Sequence, residues 1–234
     1  MNDLLNTAVA AHGGLDRWNQ IRQVSFDASI AGAFWHLKGQ GDALQDVRLE
    51  VDTTRQLVAI DFAGQDKRSV FEPHRVAVQR GDGTVIEARD DPERSFDGHE
   101  FATPWDDVHL AYFVGEAQWT YVNMPFLATW PGFTTEEIAP VEADGETWRR
   151  LRVTFPDRIK THSRQQIFCF GPDGLLRRHD FAIDLLGAVP SQLTATGYRN
   201  VDGIVISTRR RAYDQLSPDH PLMVAIDMTN IAIR

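Results

Sequence analysis

The chain has 234 residues, with 24 Lys and Arg against 33 Asp and Glu, for a formal charge of −9. Its 42% hydrophobic and 24% charged residues exclude an intrinsically disordered chain, and a compact unit of this length buries roughly 70–75% of its unfolded surface without staples. The acidic balance argues against nucleic acid, whose phosphates are held by clustered Lys and Arg.

The elements read from the N-terminus as follows. Leu4, Ala8, Ala11, Leu15 and Trp18 recur at helical spacing, predicting an amphipathic helix over 3–20 with a break at Gly13-Gly14. From Ile21 the period changes to two: Val24, Phe26, Ala28 and Ile30 alternate with Ser25, Asp27 and Ser29, as in a half-buried strand. Further short strands are predicted around 34–40, 44–52, 55–62, 67–71, 74–79 and 84–89, separated by turns such as Glu72-Pro73 and Gly81-Asp82-Gly83. No helix of crossover length interrupts them, so the pairing expected is antiparallel.

Residues 106–124 break the pattern. They carry no turn signal beyond Gly115, open with Asp106-Asp107 and stop before Pro125, as a helix does. The segment is apolar around most of its circumference, which predicts a helix buried inside a curved sheet. Beyond it, strands are predicted at 136–142, 147–155, 164–170, 175–185, 193–201, 204–213 and 224–233. Asp144-Gly145, Pro172-Asp173-Gly174 and Asp202-Gly203 supply the tight turns. The expected fold is therefore mainly β, with some helix (α+β). A single curved antiparallel sheet forms an open half-barrel, with an N-terminal helix and a buried central one, in one domain over 1–234.

Two stretches resemble the LolA-type lipoprotein carriers and their relatives. His12-Gly13-Gly14-Leu15-Asp16-Arg17-Trp18 precedes the first strand, and Tyr198-Arg199-Asn200-Val201-Asp202-Gly203-Ile204 runs into Ser207-Thr208-Arg209 as a late hairpin. The resemblance implies an open half-barrel whose concave face forms an apolar cavity, plugged by helices, that accepts lipid or another greasy ligand. The chain departs from it in carrying polar groups on strands and helix. It also opens without a basic, apolar leader, and with one cysteine the expected compartment is the cytoplasm. No stretch approaches the ~20 apolar residues of a membrane-spanning helix.

Three constellations could carry chemistry. On the central helix, His109, Tyr112, Glu116, Trp119 and Asn123 fall at steps of three and four, forming one stripe. That stripe either lines a pocket or is the helix's solvent side. If Glu116 is buried, desolvation raises its pKa and makes it a usable acid or base. The second is the hairpin 162–184. A turn closed by Gly171 and Gly174 would set Gln166 opposite His179 and Phe168 opposite Arg177, with His179 either a core residue or a catalyst. The third is the arginines: Arg209 and Arg211 alternate with Arg210, and Arg150 and Arg152 with Leu151 and Val153. An inward arginine requires a carboxylate from the protein or the ligand.

Motifs for a serine elbow, a phosphate loop or a His-Glu-x-x-His metal site do not occur, and Cys169, between Phe168 and Phe170, reads as a buried, inert thiol. No metal or cofactor is expected. Two readings result. In the first, the cavity binds an apolar, aromatic or lipid-like small molecule, with Phe113 and the other large aromatics as walls. His109, Trp119, Asn123, Arg150, Tyr198 and Arg209 are its further candidate contacts. In the second, a cofactor-independent lyase, isomerase or hydrolase uses Glu116 or His179 to move a proton and Tyr112 or an arginine to stabilise developing negative charge. Neither reading involves nucleic acid or stable membrane insertion, and the oligomeric state is open.

Overall fold

A computed structural model of the protein describes residues 2–234. The chain opens with α1 (Asp3–Ala11) and α2 (Leu15–Trp18), followed by β1 (Gln23–Ala31) and α3 (Ala33–Leu37). A meander follows: β2 (Val47–Asp52), β3 (Val58–Phe62), β4 (Arg68–Glu72), β5 (Arg75–Gln79) and β6 (Val85–Asp90). The central helix α4 (Asp107–Asn123) leads into β7 (Thr134–Ala143), β8 (Glu146–Thr154), β9 (Gln165–Phe170) and β10 (Leu176–Ile183). The last three strands are β11 (Val189–Val201), β12 (Ile204–Asp214) and β13 (Leu222–Ile233).

The strands form one 13-stranded sheet in the order β6-β5-β4-β3-β2-β1-β13-β12-β11-β10-β9-β8-β7. Each half is a sequential meander. The two halves join where β1 pairs antiparallel with β13, Val24 opposite Ile233. Strands β6 and β7 are the unpaired ends, so the sheet is curved and open. This is the mainly β half-barrel that the alternating pattern implies.

Helix α4 fills the concavity, packing on β2 to β6. Asp106 caps its N-terminus, accepting from the His109 amide. Every residue from Val108 to Asn123 is buried, so the packing of all its faces offsets its poor β-branched and aromatic propensity. Gly115 allows the closest approach: a Cβ there would lie 2.3 Å from Cγ of Phe71 on β4. In the other half of the sheet, Gly13 brings the α1–α2 corner against the β11–β12 turn, where a Cβ would lie 2.3 Å from the Gly203 carbonyl oxygen.

Two local expectations need correction. Residues 34–40 are not a strand: Ala33–Leu37 is the short helix α3. Phe34 and Trp35 are neighbours and both buried, whereas consecutive strand residues point to opposite faces. The β9–β10 register also differs. A bulge between Leu176 and Arg178 sets His179 opposite Phe168 and Arg178 opposite Cys169, so Gln166 is not the cross-strand partner of His179. The shift is two residues, one from a turn that closes on Leu175 rather than Gly174 and one from the bulge, so His179 keeps its face while its neighbour changes.

Candidate functional site

The two long faces of α4 do different things. Phe113, Val114, Ala117, Gln118 and Tyr121 look into a pocket against β1 and β10 to β13. Its lining is overwhelmingly apolar, with Phe34, Phe181, Leu193 and Ile226 among the walls. Phe101 stands at the mouth, in a loop held by buried Lys38, whose Nζ donates to the Phe101 carbonyl at 2.5 Å. Burial lowers the Lys38 amine to about 8. Gln118 is 3% exposed and lines the pocket. With Ser191 it is among the polar side chains that such a pocket offers a guest.

The opposite face carries the predicted stripe, and the structure turns most of it away from this pocket. His109 packs edge-on against Phe96 and bonds Asp106 and the Ser95 carbonyl. Trp119 Nε1 donates to the carbonyls of Asp52 and Arg55, at 2.9 and 2.8 Å. Asn123 Nδ2 donates to the Trp119 carbonyl at 2.8 Å and to the Asp52 carbonyl at 3.5 Å. These three residues fasten the helix to the loops around it. Tyr112 lies against Phe71 and, with Glu116, lines a separate polar cleft with Glu93, Lys160, Thr161 and Asp184. Burial raises the Tyr112 phenol far above its ordinary value.

Glu116 opens a hydrogen-bond chain that links the pocket and the cleft. Its Oε1 lies 2.9 Å from Nδ1 of His162, and Nε2 of His162 lies 3.2 Å from the Tyr121 hydroxyl. All three groups are satisfied when Nδ1–H donates to Glu116 and Nε2 accepts from Tyr121. Burial raises the Glu116 carboxyl, and the His162 bond opposes the rise. The ring of His162 borders both the apolar pocket and the polar cleft and stacks on Phe181 at 4.8 Å. His162 lies in the irregular 155–164 connection, where no periodic signal marks it. Gln118 falls between the stripe's positions.

His179 is placed elsewhere. It stacks on Phe168 at 4.2 Å, and Nε2 lies 2.6 Å from the Gln166 side-chain oxygen. Burial holds it well below the usual histidine range. It is a neutral core imidazole bonded to an amide, with no bond to Glu116.

The arginines divide by strand alternation. Arg209 is exposed and lies 3.9 Å from Asp227, which Arg211 also pairs at 2.8 Å. Arg150 is on the same outer side of the sheet, opposite Cys169, and donates to the Ala139 carbonyl. Neither Arg209 nor Arg150 borders the apolar pocket. Arg210 points inward and is 6% exposed. The expected carboxylate partner is missing: its one side-chain hydrogen bond goes from Nη2 to the Tyr121 carbonyl, at 2.9 Å. Tyr198 closes the far side of that region, its hydroxyl donating to the Leu176 carbonyl. The Cys169 thiol is buried and raised to about 11, first by desolvation and then by Asp180, so it is not a nucleophile at neutral pH. Among the described residues, no three His, Cys, Asp or Glu side chains converge as a metal site.

No protein-family model matches the sequence, and no curated protein matches it. Solved structures do resemble the fold. A DUF1329 family protein from Desulfovibrio piger superposes with a TM-score of 0.59 at 14% identity, covering 98% of this chain and 91% of that one. A LolA superfamily protein from Nitrosomonas europaea gives a TM-score of 0.52 at 11% identity, covering 97% and 92%. The likeness of the LolA superfamily to this chain is one of fold, spanning nearly its whole length.

Proposed function

Starting from a LolA-type half-barrel, we propose that this protein binds an apolar, aromatic or lipid-like small molecule in the pocket between α4 and β10 to β13. The observation that carries this reading is the pocket itself, with its overwhelmingly apolar walls. A binding site of this kind is a mostly apolar concavity with a few placed polar groups, and Gln118 is among the placed groups here. The compartment belongs to the same proposal: a lone, buried thiol suits the reducing cytoplasm.

Titration with Nile red, a neutral apolar dye, tests the proposal. Saturable one-to-one binding is expected, weakened at least about tenfold by Ala117→Trp, which fills the pocket from the helix side. Dye that ignores the protein, or that binds the variant equally well, would overturn it. Native mass spectrometry of the purified protein would then show any guest carried through purification.

The Glu116–His162–Tyr121 chain favours a second reading, a cofactor-independent acid–base enzyme. In it Glu116 moves the proton through His162. Turnover in a metabolite screen, falling by orders of magnitude in Glu116→Gln and His162→Asn, would support this reading over a passive binder.

A further inference from the structure

Arg210 is buried, yet no carboxylate lies within 4 Å of it among the described residues. A guanidinium does not give up its proton in a protein, so this position holds a positive charge out of water. The Tyr121 ring lies 5.2 Å from the guanidinium carbon, and the Tyr121 carbonyl takes one of its five N–H groups. Both contacts supply partial charge only. An ion held without a counter-charge or a full set of acceptors is disfavoured. The other arginines of this strand, Arg209 and Arg211, both reach Asp227.

The guanidinium borders a second, smaller cavity on the other side of Tyr121 from the large pocket. Its remaining walls are chiefly apolar, including Val122, Met124, Phe126 and Ile206. The other polar groups there are already engaged. Tyr198 donates to the Leu176 carbonyl, and Ser207 to the carbonyls of Thr196 and Arg209. His12 bonds the Ala8 carbonyl through Nδ1. That leaves the guanidinium as the donor a guest would meet.

We propose that this cavity is a binding site for an organic carboxylate on a short apolar body, with Arg210 as its counter-charge and the Val122, Met124, Phe126 and Ile206 side chains around its tail. A carboxylate matches the planar guanidinium edge, and the apolar walls select against a fully hydrated inorganic ion. The site is distinct from the larger pocket and does not depend on how that pocket is used.

The test is calorimetric titration of the full chain with hexanoate, 1-hexanol and acetate. Hexanoate is expected to bind one-to-one, at least tenfold more tightly than either of the others, without displacing Nile red. Arg210→Gln, which retains a donor for the Tyr121 carbonyl, should remove the preference of hexanoate over hexanol. Ile206→Trp fills the cavity with Arg210 in place; it should abolish hexanoate binding and leave Nile red binding unchanged, and it serves if the arginine variant does not fold. Absence of hexanoate binding, equal binding of hexanol, or unchanged hexanoate binding in Arg210→Gln would overturn the proposal. So would displacement of Nile red by hexanoate, which places the acid in the large pocket. Acetate binding as tightly as hexanoate would overturn the apolar body, leaving a site for a free small anion.

Discussion

Glu116 and His162 are 46 residues apart in sequence and 2.9 Å apart in space, both almost completely buried. Helix α4 supplies the carboxyl and an irregular connection supplies the imidazole, so the contact clamps that connection to the core. A buried polar pair of this kind costs most when one member is removed.

Replacing Glu116 by Leu leaves Nδ1 of His162 without its partner and is expected to lower stability by about 1–3 kcal/mol. Glu116→Gln keeps an acceptor and removes the titration. Burial raises the folded carboxyl above its ordinary 4.5, so the stability linked to this group is present below pH 4.5 and lost as pH rises through the folded value. Urea midpoints measured across that range should move in favour of Glu116→Gln as pH rises. A constant difference between the two proteins would show that the carboxyl titrates normally.

His12 gives the opposite slope. Its Nδ1–H donates to the Ala8 carbonyl at 2.8 Å, and burial lowers it from 6.5 to about 4. The unfolded chain takes up this proton first, so stability present above pH 6.5 is lost as pH falls towards 4. The loss amounts to about 3 kcal/mol at most. In His12→Gln that acid-side loss should shrink, read as a flatter dependence of the urea midpoint between pH 6.5 and 4. An unchanged slope would assign the acid loss to other groups.

Gly115→Ala separates helix propensity from packing. In an exposed helix this change stabilises by about 1 kcal/mol. Here the added Cβ would meet the Phe71 ring at 2.3 Å, and overpacking of a filled core costs about 1–3 kcal/mol or more. A fall in Tm is expected. A rise would mean that α4 stands further from β4 than the structure has it.

Much of this was legible from residue order. The alternation of Val24, Phe26, Ala28 and Ile30 and the Asp-Gly turns at 144–145 and 202–203 mark strands and hairpins that the structure contains. Asp106 and Pro125 bracket α4 to within a residue. Turn chemistry and periodicity are local, so a local reading finds them. What failed was also local in origin. The Phe34-Trp35 pair sits in too short a stretch for its period to be read, and the bulge at Leu176–Arg178 leaves no compositional mark.

The sequence by itself determined the antiparallel sheet, the enclosed central helix and the inert thiol of Cys169, because hydrophobic period, turn residues and caps act between near neighbours. Only the tertiary structure decided which side of α4 faces open space. It turned His109, Trp119 and Asn123 into fastenings, left Gln118 in the pocket and chose His162 over His179 for Glu116. It also put Arg210 alone inside while its neighbours found Asp227. Those outcomes depend on contacts between elements far apart in the chain, set by how the sheet curves and where its register slips, and spacing along one element carries no information about either.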